Sequence, residues 1–388
     1  MGDCSGDGKQ EADVVDQTSR PVLDKAAVPD LVAHVYGLQV TSVKTLNAYD
    51  DLNFHVKVAP AFTNPYIASV CPDGYTLKIL NSVQSRQPDI VEAHNQLMWK
   101  LKDGGFSVPY PVRTLADSEW SLQRLRKRPG PGWRPADDSE PAAEHVVRLL
   151  TYVPGEVLHS VTYTPTLMFE AGETAARIGN CLQDFHHPAY DALDSVWFMT
   201  SVPRVAEFTW VVADPARRAM AEQAVEQFCR RVLPQMDRLP QGMLHGDLNE
   251  QNLLVSADAA GRRHICGIID MGDSHRSALV FELALIVMYL MIDCSEVDRL
   301  DVGGHALAGY RRHRTPTALE MGLLKTCICA RFAQSLVMGA YAFHQNPANE
   351  YVMTTAVNGW TAFRRIWEEP QERLYARWEA IGRQNDRQ

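Results

Sequence analysis

The stretch that decides the fold reads His245-Gly246-Asp247-Leu248-Asn249-Glu250-Gln251-Asn252, and an apolar run further on ends in Ile268-Ile269-Asp270. Alone, His-Gly-Asp reads as a turn and Asp270 as the end of a strand. Together they have the H-x-D-x-x-x-x-N spacing of a phosphoryl-transfer loop, with a second aspartate brought back to it by a hairpin. That chemistry needs an acceptor hydroxyl oriented beside a carboxylate, and a hard cation held against phosphates by oxygen ligands. Asp247 suits the first task as the catalytic carboxylate. Asn252 and Asp270 suit the second as ligands of Mg²⁺. Met271 stands where a protein kinase carries the Phe of Asp-Phe-Gly, Gly272 keeps the glycine, and no Ala-Pro-Glu pattern follows, which argues against a protein kinase.

Around this loop the texture is helical. Amphipathic periodicity predicts long helices over residues 166–186, 214–239, 316–343 and 349–367, and residues 278–292 read as a buried helix too short for a membrane span. Residues 253–255 and 265–269 suit the small hairpin that returns Asp270. Upstream the pattern switches to strands at 40–46, 52–58, 75–80, 108–115, 120–125 and 146–152, with one short helix before Gly37 and another after Pro88. The expected architecture is α+β and two-lobed. A polar tail over 1–27, expected to be disordered, precedes a β-rich N-lobe over 28–152 and a mainly helical C-lobe over 153–388. Residues 126–140, basic and rich in Pro and Gly, are expected to form an exposed loop.

In the N-lobe, Lys78 lies on the strand face opposite Tyr75, Leu77 and Ile79, so its ammonium is expected to reach phosphates in the interlobe cleft. Glu92 on the following helix is its expected partner; the bland alternative is an exposed strand lysine and a solvated glutamate. No glycine-rich G-x-G-x-x-G loop is present. The turn at that place is Asn47-Ala48-Tyr49-Asp50-Asp51-Leu52-Asn53, whose backbone NH groups or Asn53 are the candidates for contact with phosphate.

Composition narrows the partners. With 38 basic against 47 acidic residues and a net charge of −9, the chain offers no broad electrostatic footprint for nucleic acid or an anionic membrane, and a small or cationic ligand fits better. Its 46% hydrophobic content suffices for a sizeable core. Eight scattered cysteines, most of them in apolar segments, read as reduced thiols in a cytoplasmic protein. Cys327 and Cys329 lack a second pair at zinc-site spacing.

Beyond the loop, the chain resembles the aminoglycoside phosphotransferase and choline-kinase-like group over roughly residues 28–365. The stretches Tyr49-Asp50-Asp51-Leu52-Asn53-Phe54-His55-Val56, Val147-Arg148-Leu149-Leu150-Thr151-Tyr152, Val302-Gly303-Gly304-His305 and Arg331-Phe332-Ala333-Gln334-Ser335-Leu336-Val337-Met338 carry the likeness with the loop itself. The resemblance implies a protein-kinase-like fold, a cytoplasmic location, 5-hydroxy-L-lysine as acceptor and GTP as donor, with ATP the other purine nucleotide to weigh. Purine contacts are then expected near Leu150 and Tyr152. An acceptor with two ammonium groups and one carboxylate needs acidic partners and an arginine. Asp273 and Glu282 are the acidic candidates and Arg331 the basic one, unless Glu282 and Arg331 simply pair with each other or cap neighbouring elements. Choline, ethanolamine or another amino alcohol as acceptor is the alternative within kinases. A non-catalytic binding module on the same fold and a metal-dependent hydrolase are the alternatives outside them.

Overall fold

The computed structural model describes residues 19–48, 51–126, 133–134, 136, 139–345 and 354–385. The expected tail over 1–27 therefore lies, for residues 1–18, outside the described residues. Its end is placed: the Ser19 carbonyl accepts from the Ser82 amide at 2.8 Å, and residues Lys25–Ala27 form a 3₁₀ turn with Ala27 buried. Most of the 126–140 loop also lies outside the described residues.

The first half is a five-stranded antiparallel sheet with two helices. Its strands are β1 (Leu38–Leu46), β2 (Leu52–Phe62), β3 (Tyr75–Ile79), β4 (Ser121–Arg126) and β5 (Ala142–Thr151), in the order β1-β2-β3-β5-β4. Helix α1 (Val28–Tyr36) ends at Gly37, whose φ of 63° is the left-handed turn that glycine adopts without penalty. Phe54, Val56, Leu77, Ile79, Val147 and Leu149 form one core with α1. Because side chains alternate along a strand, Asn53, Lys78 and Arg148, opposite one another in the register, line the other face in a row.

Helix α2 (Pro88–Asp103) does not join that core. Its Ala93, Leu97, Met98 and Leu101, with Leu150 of β5, belong to the hydrophobic core of the second half and so fasten the two lobes together. The strand expected over 108–115 is reduced to one bridge between Pro111 and Leu150. Pro109 and Pro111 have no amide hydrogen, and only Tyr110 and Val112 make ladder bonds to β5 there.

The second half is helical with two small sheets. Strand β6 (Glu156–Val157) pairs β8 (Leu253–Ala257), which pairs β9 (Arg263–Ile268), while β7 (Gln241–Leu244) pairs β10 (His275–Ala278). The helices are α3 (Pro165–Cys181), α4 (Pro215–Arg231), α5 (Val280–Asp293), α6 (Val302–Arg311), α7 (Ala318–Gln345), α8 (Thr354–Glu368) and α9 (Gln371–Asn385). The helix expected over 214–239 stops at Arg231 and continues as a 3₁₀ turn, Leu233–Arg238, because Pro234 cannot donate into an α-helical ladder. Helix α5 is buried from Val280 to Ile292 and packs against α3, α6, α7 and α8. Among the described residues no helix is long and apolar enough to cross a membrane.

Candidate active site

Strand β7 delivers His245 into the interior, where its Nε2 meets the Ile269 carbonyl at 3.0 Å and burial pulls the ring down to about 4, so it is neutral at neutral pH. Gly246 follows with φ at 81°. A Cβ there would meet the Asp273 carbonyl oxygen at 2.2 Å, so only glycine lets the loop lie against the segment after β9. The amides of His245 and Gly246 donate to one carboxylate oxygen of Glu282, at 2.5 and 3.4 Å. Glu282, expected at the acceptor, gives this oxygen to the loop, while its Oε1 has no partner among the described residues. Almost fully buried at the start of α5, Glu282 satisfies the backbone of the loop, and burial raises its carboxyl to about 7.

Asp247 emerges from this support with one oxygen accepting from Asn249 Nδ2 and the other from Asn252 Nδ2, each at 3.0 Å. Arg331 Nη2 stands 3.7 Å from it. Burial, reinforced by the Asp273 carboxylate, pushes the Asp247 carboxyl well above its ordinary range, and Arg331 opposes that rise. Asp273 is raised to about 6 by burial and by Asp270. Arg331, 2% exposed on α7, donates to the Trp197 carbonyl at 2.7 Å, to Gln334 Oε1 at 2.9 Å and to the Tyr289 hydroxyl at 3.3 Å, while its Nε has no partner among the described residues. Arg331 thus stands beside Asp247, and Asp273 is near enough for its charge to act on the Asp247 carboxyl.

The Ile269 amide donates to the Asn252 carbonyl at 2.9 Å, which ties the end of the loop to the end of the hairpin. Asp270 then takes φ of 60°, a left-handed conformation that aspartate adopts more readily than most residues but still at a cost. Its carboxylate meets Lys78 Nζ at 3.2 Å and is held down at about 2 by that cation. Lys78 also meets Asp51 at 3.2 Å. Burial works against its charge, but Asp270 and Asp51 outweigh burial and raise its pKa.

The expected Lys78–Glu92 pair is not formed. Glu92 is exposed on α2 and accepts from Gln96 one turn on, and Asp51 takes its place. Asp51 lies at the end of the turn before β2, where it also accepts from the Asn81 amide at 3.0 Å. Arg148, a second buried cation on the Lys78 face, reaches Asn95 Oδ1 at 3.4 Å and has an Nε without a partner among the described residues. Neither Asp51 nor Arg148 was singled out from sequence. The signal available was their place in the alternation, Arg148 directly opposite Lys78.

Asn53 lies beside Lys78 in the register with a buried, unpartnered Oδ1; Tyr49 and Asp50 of the same turn lie outside the described residues. At the lobe junction Leu150 is buried and Tyr152 stacks on His55 with centroids 3.9 Å apart. The amides of Thr151 and Tyr152 are already bonded to the carbonyls of Tyr110 and Gly74, so those two donors are not available to a purine in this state.

Residues 106–315 match the phosphotransferase enzyme family. The chain is 31% identical to the hydroxylysine kinase of Bos taurus, with 96% of each chain covered, and 31% identical to that of Mus musculus, with 93% of this chain and 94% of the relative covered. Among solved structures, a microcompartment-associated aminopropanol kinase superposes with a TM-score of 0.63 at 18% identity, over 90% of this chain and 100% of the other. The amicoumacin kinase hAmiN, in complex with AMP-PNP and Ca²⁺, superposes with a TM-score of 0.61 at 14% identity, over 90% and 97%. These two likenesses establish the two-lobed α+β kinase-like fold, and the matched residues and near full-length relatives establish more: the chain belongs to the phosphotransferase enzyme family.

Proposed function

We propose that this protein transfers the γ-phosphoryl group of GTP or ATP to the hydroxyl of 5-hydroxy-L-lysine. The observation that carries this reading is the placement of Arg331 3.7 Å from Asp247, with the Asp273 carboxylate acting on the same carboxyl and the Lys78–Asp270 ion pair nearby. In this reading Asp247 orients the acceptor hydroxyl and takes its proton. Asp273 offers negative charge to an ammonium, and Arg331, with Nε unpartnered, offers a donor to a carboxylate. Choline and ethanolamine have no carboxylate, so the buried arginine favours an amino acid over them. Relatives named for hydroxylysine, aligned over nearly their whole length, point the same way.

The donor set fits Mg²⁺. Asp270 is ionised far below neutral pH, and the Asn252 amide nitrogen is engaged by Asp247, which leaves its amide oxygen for a hard cation. These two residues would hold the ion, which neutralises charge on the transferring phosphates. Lys78 and Arg148 supply cations on the N-lobe side, with Asn53 beside them. Seven described cysteines are free thiols, in keeping with a reducing, cytoplasmic setting.

The test is incubation of the full chain with Mg²⁺, equal GTP and ATP, and a pool of hydroxylysine, lysine, choline and ethanolamine, followed by mass spectrometry. Hydroxylysine should gain one phosphoryl group and lysine none. Faster turnover of choline or ethanolamine overturns the acceptor assignment and leaves the kinase standing; no phosphorylated product with any of them favours a binding module.

A further inference from the structure

One cluster of polar side chains beside the catalytic loop has no role in the site as described so far. His159 lies in a 3₁₀ turn (Leu158–Ser160) just after the lobe junction, Glu250 lies within the loop itself, and Asp293 is the last residue of α5. One atom from each lies within 4.8 Å of the others, and His159 Nδ1 meets Asp293 Oδ2 at 3.4 Å. The turn and the loop are joined directly, the His159 amide donating to the Glu250 carbonyl at 2.9 Å. Asn358 on α8 steadies the other Asp293 oxygen at 3.2 Å.

Two atoms there are left without partners. Glu250 Oε2 is buried and accepts no hydrogen bond among the described residues. Tyr163, which precedes α3 and is 3% exposed, has a hydroxyl in the same condition, and the carboxylates of Glu250 and Asp293 beside it add to burial in raising its pKa. A neutral phenol oxygen, an undonated oxygen of Glu250, whose carboxyl burial raises to about 7, and the Asp293 carboxylate make a set of acceptors. Buried acceptors of this kind are costly unless a ligand supplies the donors.

The cluster adjoins the reaction centre. Glu250 bears on the Asp247 carboxyl, and Tyr289, whose hydroxyl accepts from Arg331, is raised by both Asp247 and Glu250. An acceptor with its hydroxyl at Asp247 would therefore extend one end toward Arg331 and have this pocket of acceptors within reach. Resting on the acceptor class proposed above, we infer that Tyr163, Glu250 and Asp293 form an ammonium subsite for one of the two amino groups of a diamino acid acceptor. An alkylammonium has three N–H donors for three acceptor groups, and a neutral tyrosine accepts from it without first losing a proton.

Calorimetric titration of the full chain with L-lysine, which has both ammonium groups but no acceptor hydroxyl, reads the subsite without turnover. Asp293→Asn should weaken L-lysine about tenfold or more, the usual effect of removing the charged partner of a hydrogen bond. Tyr163→Phe, which removes one oxygen from an otherwise unchanged ring, should weaken it about threefold and serves if Asp293→Asn does not melt like the wild type. L-Norleucine lacks the side-chain ammonium and 6-aminohexanoate lacks the α-ammonium. One of the two should bind wild type and Asp293→Asn alike, which identifies the amine that occupies the subsite. The inference is overturned if wild type does not bind L-lysine, if neither variant weakens it, or if both truncated probes lose as much as lysine does. It is also overturned, in favour of a metal site, if Mn²⁺ binding is lost in Asp293→Asn and lysine binding is unmoved. Discrimination among the probes without phosphorylation of hydroxylysine would sink the acceptor assignment and leave the ammonium subsite in place.

Discussion

Asp247 is held between opposing influences. Burial and the nearby Asp273 carboxylate favour its protonated form, while Arg331 and two asparagine amides favour the anion. A proton acceptor must be ionised yet basic enough to draw a proton, and that balance supplies both. Asp247→Asn keeps the size of the side chain and removes the basicity. Turnover is expected to fall by about 10²- to 10⁴-fold with an unchanged thermal midpoint, measured by steady-state phosphoryl transfer and a melting curve. Near-wild-type turnover would remove Asp247 from the chemistry. Asp270→Ala should abolish the Mg²⁺ dependence of nucleotide binding, seen by calorimetric titration with and without the metal; an unchanged dependence would make Asp270 a structural residue. Asp247, Asn252 and Asp270 were legible because a loop and a tight hairpin place them, and local spacing survives folding. The partner of Lys78 was not legible in the same way. Glu92 and Asp51 are both acidic and both upstream or downstream by a short stretch of chain, and the choice between them depends on where a turn and a helix face point in space.

Elements were legible where burial follows a simple period. Strands β2 and β3 alternate apolar with polar residues, although Lys78 of β3 is buried as well, α5 is apolar all round, and α1 closes on a glycine. The prolines at 109 and 111 hid behind an otherwise strand-like pattern, and Pro234 behind a helical one. What the alternation could not convey is the use made of Glu282, the single carboxylate buried near the start of α5, because its partners are backbone amides far along the chain. Burial lifts its carboxyl from 4.5 to about 7. The folded chain therefore binds a proton that the unfolded chain has released, so this contribution to stability is fully present below about pH 4.5 and is lost as pH rises through about 7. Glu282→Gln keeps an oxygen to accept from His245 and Gly246 but has no proton to lose. Its unfolding free energy should gain on the wild type by on the order of 1–3 kcal/mol between mildly acidic and neutral pH, read from urea unfolding at each. Parallel curves across that window would show that Glu282 does not titrate in it.

At the scale of the whole molecule, an apolar and an ionic contact are among those that join the lobes. One is apolar and built into α2, whose Ala93, Leu97, Met98 and Leu101 share the core of the helical half. The other is ionic, Lys78 on β3 reaching Asp270 across the cleft and Asp51 within its own lobe. The two halves of that ionic contact differ in cost. Asp270 is nearly half exposed and loses little when left to water, whereas Asp51 is 5% exposed and, without Lys78, keeps the Asn81 amide as its hydrogen-bond donor among the described residues. On the proposed function, Lys78 would keep its Asp51 contact when a nucleotide binds, and Asp270 would be the residue free to hold a metal ion. Lys78→Met should destabilise the fold by about 3 kcal/mol, the expected effect of stranding a buried carboxylate, and should also weaken nucleotide binding. Adding Asp51→Asn to Lys78→Met should recover most of the stability, because a neutral amide no longer needs the cation, and recover none of the nucleotide affinity. Urea unfolding and nucleotide titration on both variants separate the two roles. Equal recovery of both would mean that Lys78 serves only to neutralise Asp51, and the cleft would need another cation, with Arg148 the one beside it.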